Sequence, residues 1–417
     1  MRRRSAFGLL FAALAAAAAA AAAACVAEPA VAQSPAPQTV LLVSIDGFRA
    51  DYMDRPGAVR LRALAKRGVR ADRMIPAFPS KTFPNHYTIV TGLYPEHHGI
   101  VANSMSDSVL GRFAIGDHPA VRDGRWFLGE PIWVTAEKQH VRTAPNLWPA
   151  SEAEIGGVRP SWWIRFDQRM PRADKVRMAL GLLALPADSG PRFVTTYFSD
   201  VDAAGHQFGP GAVQTDSAIA RVDSAVGALV DGIAKLPRGR RVNIIIVADH
   251  GMTDVNADRL IFLDDYLSLD SLDVVDWTPV AAIVPKPGHD RYVLSRLVNA
   301  NPHLAVYRKA DVPARFHFSV GARVTPVVAI ADEGWTITSH RNAGRTPPGW
   351  TGGSHGYDNQ LPSMGALFVA AGPAFRAGVV VPPFQNVHVY SLLAKVLGLM
   401  PAPTDGSLDS VRVLLRR

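Results

Sequence analysis

The chain has 417 residues, 48% hydrophobic and 19% charged, enough to bury a large core in one domain or two. Its formal net charge of +8 is scattered, with no basic run carrying interleaved aromatics, so nothing marks a nucleic-acid footprint. The only cysteine is Cys25, which excludes disulfides and thiolate chemistry from the fold.

At the N-terminus, a basic start, a long alanine-rich apolar run and the small residues Ala30, Val31 and Ala32 predict an export signal over residues 1–32. Cleavage after Ala32 removes Cys25 and leaves 41 basic against 35 acidic side chains. The mature chain is then expected in the periplasm or outside the cell. Two alternatives stay open: the run has the length of an uncleaved membrane anchor, and Cys25 offers a thiol for a lipid. No second stretch is apolar enough to span a bilayer.

Residues 33–38 read as a short Pro/Ser/Ala linker. "TVLLVSIDG" follows, a β-branched apolar run ending at Asp46 and Gly47, the pattern of a buried parallel strand. Similar runs are "RFVTTYFSDVD", ending at Asp200 and Asp202, "VNIIIVADHG", ending at Asp249 and His250, and "GALFVAAGPAF". Helical faces separate them: Ile219, Val222, Val226, Leu229, Val230 and Ile233 in one, Tyr390, Leu393, Val396 and Leu397 in another. Such alternation predicts an α/β fold, a mainly parallel sheet between helices. Ligands of these sheets bind beyond the carboxyl ends of the strands, where three of the runs place acidic residues. Residues 252–350 change pattern to shorter strands around "DRYVLSRLVNAN", a small inserted α+β cap that divides the core into 39–251 and 351–417.

Taken singly, the polar residues are ambiguous. Asp46 before glycine suits a turn. Asp202 and His206 share a face if helical, although Gly205 weakens that helix. Asp249 and His250 after an apolar run must be solvated, paired or metal-bound. His355 lies in a glycine-rich loop. Together, three aspartates and three histidines at strand ends and loops match the N/O ligands that zinc prefers. Six such ligands can hold two ions about 3.5–4 Å apart, the arrangement that clamps both oxygens of a displacement at phosphorus. Thr82 stands where a helix should start, with Pro84 in its first turn. Two roles fit it: a metal-activated nucleophile facing an anion site, or a helix cap.

"SIDGFRADY", "KTFPNHYTIVTGLYPEHHGIVANSM", "DAAGHQFGP", "ADHGM" and "SHGYDN", in this order, resemble the nucleotide pyrophosphatase/phosphodiesterase family of the alkaline phosphatase superfamily. The likeness continues through "PARFHFSV", "IADEGWTIT", "PSMGALFVAAGPAF" and "NVHVYSLLAKVLGL", covering nearly all of the chain after the signal. The resemblance implies an alkaline-phosphatase-like core and two zinc ions. Asp46, Thr82, Asp249 and His250 would surround one ion, and Asp202, His206 and His355 the other. It further implies that Thr82 is the nucleophile, that Asn103 holds a non-bridging phosphoryl oxygen, and that Phe83 and Phe166 flank the nucleotide base. His86, His97 and His98 match no ligand position and read as structural; Lys81 has no assigned role. Ala150 and Val201 depart from the family's usual glycine and proline.

The implied activity is hydrolysis of phosphodiester and phosphoanhydride bonds through a phosphothreonine, releasing nucleoside 5′-monophosphates. A nucleotide or another small phosphodiester is the expected partner, with no specific nucleic acid and no membrane span in the mature chain. The rivals are a phosphomonoesterase of the same superfamily and an exported metal- or phosphate-binding protein without turnover.

Overall fold

Seven strands form the central sheet: β1 (Thr39–Ile45), β2 (Val69–Ala71), β3 (Thr143–Ala144), β4 (Phe193–Phe198), β5 (Val242–Val247), β6 (Phe368–Ala371) and β7 (Val379–Val381). The computed structural model describes residues 38–237, 241–344 and 349–416. The expected export signal, its cleavage site and Cys25 lie outside the described residues, as does all of the 33–38 linker except Gln38. Among the described residues no helix is long and apolar enough to cross a membrane.

The spatial order is β7-β2-β6-β5-β1-β4-β3. Only β6 runs against its neighbours, so the sheet is mixed and mainly parallel. Every residue of β1, β4 and β5 is buried, as their unbroken apolar and β-branched sequences require of central strands covered on both faces.

Six helices carry most of the packing: α1 (Val59–Arg67), α2 (Thr82–Thr91), α3 (Arg172–Ala184), α4 (Asp200–Phe208), α5 (Val213–Ala234) and α6 (Val389–Leu397). Helix α5 packs against α1, α3 and α4, while α6 packs on β1 and α2. The face expected in α5 is buried at Ile219, Val222, Val226 and Leu229, whereas Val230 and Ile233 are only partly covered. In α6 all four expected residues are buried, and Gly398 ends the helix at φ +72.

A second sheet has four antiparallel strands in the order Leu272–Asp276, Val280–Pro285, Val327–Ala331, Leu304–Arg308. The helix Asp290–Leu297 buries Val293 and Leu297 in a separate apolar cluster with Ala281, Ile283 and Ala329. Strand Thr253–Asn256, entering this region, pairs antiparallel with Thr351–Ser354, leaving it. That pairing brings His355, the next residue, back to the carboxyl end of the main sheet.

Candidate active site

Adjacent strands β5, β1 and β4 end together, and their registers align Ser44 with both Val247 and Tyr197. Asp46, Asp249 with His250, and the start of α4 therefore emerge side by side. Asp46 is 1% exposed, so it is no surface turn residue. The following Gly47 has φ +65, and a side chain there would meet the backbone of Asp202 at 2.9 Å. Its N–H donates to Asp249 Oδ1 at 3.2 Å. Helix α4 continues through Gly205, where a methyl group would press on Met252 at 3.0 Å; close approach explains the glycine. Asp202 and His206 share the expected face, with 3.4 Å between Oδ1 and Nε2.

The three histidines are oriented alike. Nδ1 of His206 donates to the Gly353 carbonyl at 2.8 Å, that of His250 to Gly251 at 2.9 Å, and that of His355 to Ser80 at 2.9 Å. Each bond leaves a bare Nε2 lone pair pointing into the cluster, the usual arrangement of metal-ligating imidazoles. His206 and His355 place these atoms 3.1 Å apart, a contact between two acceptors that needs a cation to be favourable. Asp46 Oδ1, Asp202 Oδ1 and Asp249 Oδ2 are likewise buried without a hydrogen-bond donor. His250 Nε2 lies 2.9 Å from Asp249 Oδ2 and 3.5 Å from Asp46 Oδ1. The donor set fits divalent cations with N/O ligands.

Three ligand groups emerge: Asp202, His206 and His355; Asp46, Asp202 and His250; and Asp46, His86 and Asp249. The first is the set expected for one ion. The other two share Asp46, which stands between neighbouring positions.

Burial, then repulsion from Asp249 and Asp202, pushes Asp46 well above the usual carboxylate range, and burial also raises Asp202. Burial would raise Asp249 as well, but when His250 and His86 carry a proton their charge holds it below its ordinary value, and Asp249 in turn raises His250. Burial and the neighbouring His250 and His206 push His355 far down.

Thr82 is the first residue of α2, whose cap position is Lys81 and carries no side-chain capping bond. The Thr82 hydroxyl lies 3.3 Å from His250 Nε2 instead. Capping is thus not what this side chain does in the structure. Asn103 accepts the Phe83 N–H at 3.0 Å through Oδ1, which turns its amide group outward as a donor.

Phe83 and Phe166 line one cavity of about 300 Å³ together with Asp46, Thr82, Asp202 and Tyr197. Phe83 meets Phe113 edge to face at 5.7 Å, and Phe166 meets Tyr197 at 5.9 Å. The Phe166 N–H is held by Glu152 at 2.9 Å. Ala150, on the same wall, has φ +76, the conformation that glycine accepts without strain. A second cavity of about 430 Å³ reaches the cluster past Asn103, His206 and His355.

Two neighbours of the cluster were not read from the sequence as part of the site. Tyr197 donates its hydroxyl to Asp46 Oδ2 at 2.5 Å. His86, read as structural, bonds Ser44 at 2.7 Å and the Thr82 carbonyl at 2.9 Å, and its Nδ1 is 3.4 Å from Asp249. Its spacing of four from Thr82 on a helix was the available signal. Tyr197 is revealed only by strand register. His97 pairs with Asp405 at 2.7 Å, and the buried His98 bonds Thr88 at 2.9 Å.

The family model for type I phosphodiesterase/nucleotide pyrophosphatase matches residues 40–358. An uncharacterised pyrophosphatase/phosphodiesterase of Schizosaccharomyces pombe is 39% identical, the match spanning 91% of this chain and 80% of the relative. The bovine bis(5′-adenosyl)-triphosphatase is 38% identical over 92% of this chain and 83% of its own. Murine ectonucleotide pyrophosphatase/phosphodiesterase 5 superposes with a TM-score of 0.85 at 35% identity, covering 91% of this chain and all of that one. An inactive threonine-to-alanine form of the murine protein has been solved with AMP.

Proposed function

The chain belongs to the type I phosphodiesterase/nucleotide pyrophosphatase family, a family of hydrolases, and from that membership we propose a two-zinc enzyme acting through a phosphothreonine on Thr82. Asp46, Asp249 and His250 hold one ion beside Thr82; Asp202, His206 and His355 hold the other. The observation that carries this reading is the set of inward Nε2 atoms and donorless carboxylate oxygens beside an uncapping threonine. When bound, the ions supply Lewis-acid stabilisation of the attacking and leaving oxygens.

Thr82 gives up its hydroxyl proton, and its oxygen bonds to phosphorus as the bond to the leaving oxygen breaks. Water then cleaves the Thr82 ester, frees the phosphate monoester and restores the hydroxyl. Asn103 donates its amide group to a non-bridging oxygen, while its Oδ1 holds the Phe83 N–H at the start of α2. Phe83 and Phe166 take the base between them in the cavity they share. His86 fixes the turn that presents Thr82 and lies against Asp249.

The AMP complex of the murine relative supports a nucleotide substrate, with a nucleoside 5′-monophosphate released from dinucleotides and nucleoside triphosphates. The inactivity of its threonine-to-alanine form fits a reacting threonine. Export fits the N-terminal pattern of residues 1–32, and the second sheet, within 252–350, meets the core at the Lys81–Asp276 pair. Chelation should abolish hydrolysis of aryl phosphodiesters and zinc should restore it, with about two ions per chain by elemental analysis. Full activity in metal-free protein would end this reading.

A further inference from the structure

Among the described residues, Lys81 is the only lysine or arginine lining the two cavities at the ligand cluster. It precedes Thr82, and its side chain is almost wholly buried. Nζ lies 2.5 Å from Asp276 Oδ2, in a strand of the second sheet. The other oxygen, Oδ1, accepts the Trp277 N–H at 3.1 Å, which fixes the carboxylate toward the lysine. Gly356 keeps the path of the lysine clear: a side chain there would meet Cε at 3.1 Å. Lys81, Asp276, Asn103, His206 and His355 all face the second cavity.

We propose that the Lys81–Asp276 pair sets a preference for phosphodiesters over phosphomonoesters, because Asp276 neutralises the cation that, among the described cavity-lining residues, could answer a monoester's additional charge. The inference rests on the phosphodiesterase reading above. At neutral pH the transferred group of a monoester carries more negative charge than that of a diester. With Lys81 paired to Asp276, these walls offer the extra charge neutral donors such as Asn103 but no free cation. Released from Asp276, the same ammonium adds a unit charge in a partly desolvated site, an effect of about tenfold or more on a dianion.

The test is Asp276→Asn, which keeps the side-chain shape and removes its charge. Rates on 4-nitrophenyl phosphate and bis(4-nitrophenyl) phosphate give a monoester-to-diester ratio, and calorimetry on the zinc-loaded protein gives its affinity for inorganic phosphate. The ratio and the phosphate affinity should each rise about tenfold over wild type. The double variant Lys81→Gln/Asp276→Asn should return both values to near wild type. If Asp276→Asn does not fold, Lys81→Gln tests the opposite sign: with Asp276 unpaired, both values should fall. A merely structural pair predicts equal losses on both esters and unchanged phosphate affinity, which would overturn the inference. A raised ratio that persists in the double variant would overturn it too. A wild-type protein that hydrolyses neither ester would instead count against the phosphodiesterase reading, and phosphate affinity would still decide the role of the pair.

Discussion

Replacing Tyr197 with phenylalanine isolates one hydrogen bond in the proposed metal centre. The ring would keep its edge contacts to His86 at 5.4 Å and Phe166 at 5.9 Å, so little packing is lost. What disappears is the hydroxyl donated to Asp46 Oδ2, leaving a buried carboxylate with neither oxygen supported by a protein donor. A hydrogen bond to a charged group contributes about 1.5–3 kcal/mol, or roughly 10–100-fold in an equilibrium. Losses of that size accompany removal of the partners that orient metal ligands. Zinc competition against a chromogenic chelator, started from metal-free protein, should therefore show affinity falling about 10–100-fold. Saturating zinc should restore most of the activity. If zinc affinity stayed at the wild-type value while kcat fell, Tyr197 would not act by orienting Asp46.

Phe83→Ala should lower kcat/KM for nucleotide substrates by about tenfold or more, from a stacking contribution of roughly 1–3 kcal/mol, and affect small aryl diesters less. Equal losses on both would mean that Phe83 serves to position Thr82. Ala150→Gly should stabilise the protein by about 0.5–1 kcal/mol, because relief of the left-handed strain outweighs the added freedom of the unfolded chain. A higher urea midpoint with an unchanged slope would show this, and a lower midpoint would refute it.

The sequence-level reading succeeded where one strand carries its own signal. β1, β4 and β5 are unbroken buried runs, and Asp46 and Asp249 close two of them, so the sheet and the proposed ligands are visible together. The reversed direction of β6 was not legible, because an apolar run buried on both faces looks the same in either orientation. Tyr197 escaped notice because its contact with Asp46 depends on the pairing of β1 with β4. Lys81 stayed unassigned because its partner, Asp276, is 195 residues away in the second sheet. Ala150 was visible as a departure from glycine, but its cost appears only in the backbone angle.

The central claim is covalent chemistry at Thr82, and capture of the phosphorylated peptide tests it most directly. Wild-type protein quenched with acid during turnover of a nucleotide diester should yield, by mass spectrometry, one phosphopeptide with the phosphate on Thr82. Thr82→Ala should fold normally, since this hydroxyl makes no capping bond, yet yield no phosphopeptide and lose turnover by orders of magnitude. Thr82→Ser, which keeps the reacting oxygen, should retain measurable activity. Near-normal turnover of Thr82→Ala would contradict the account even with both zinc ions bound.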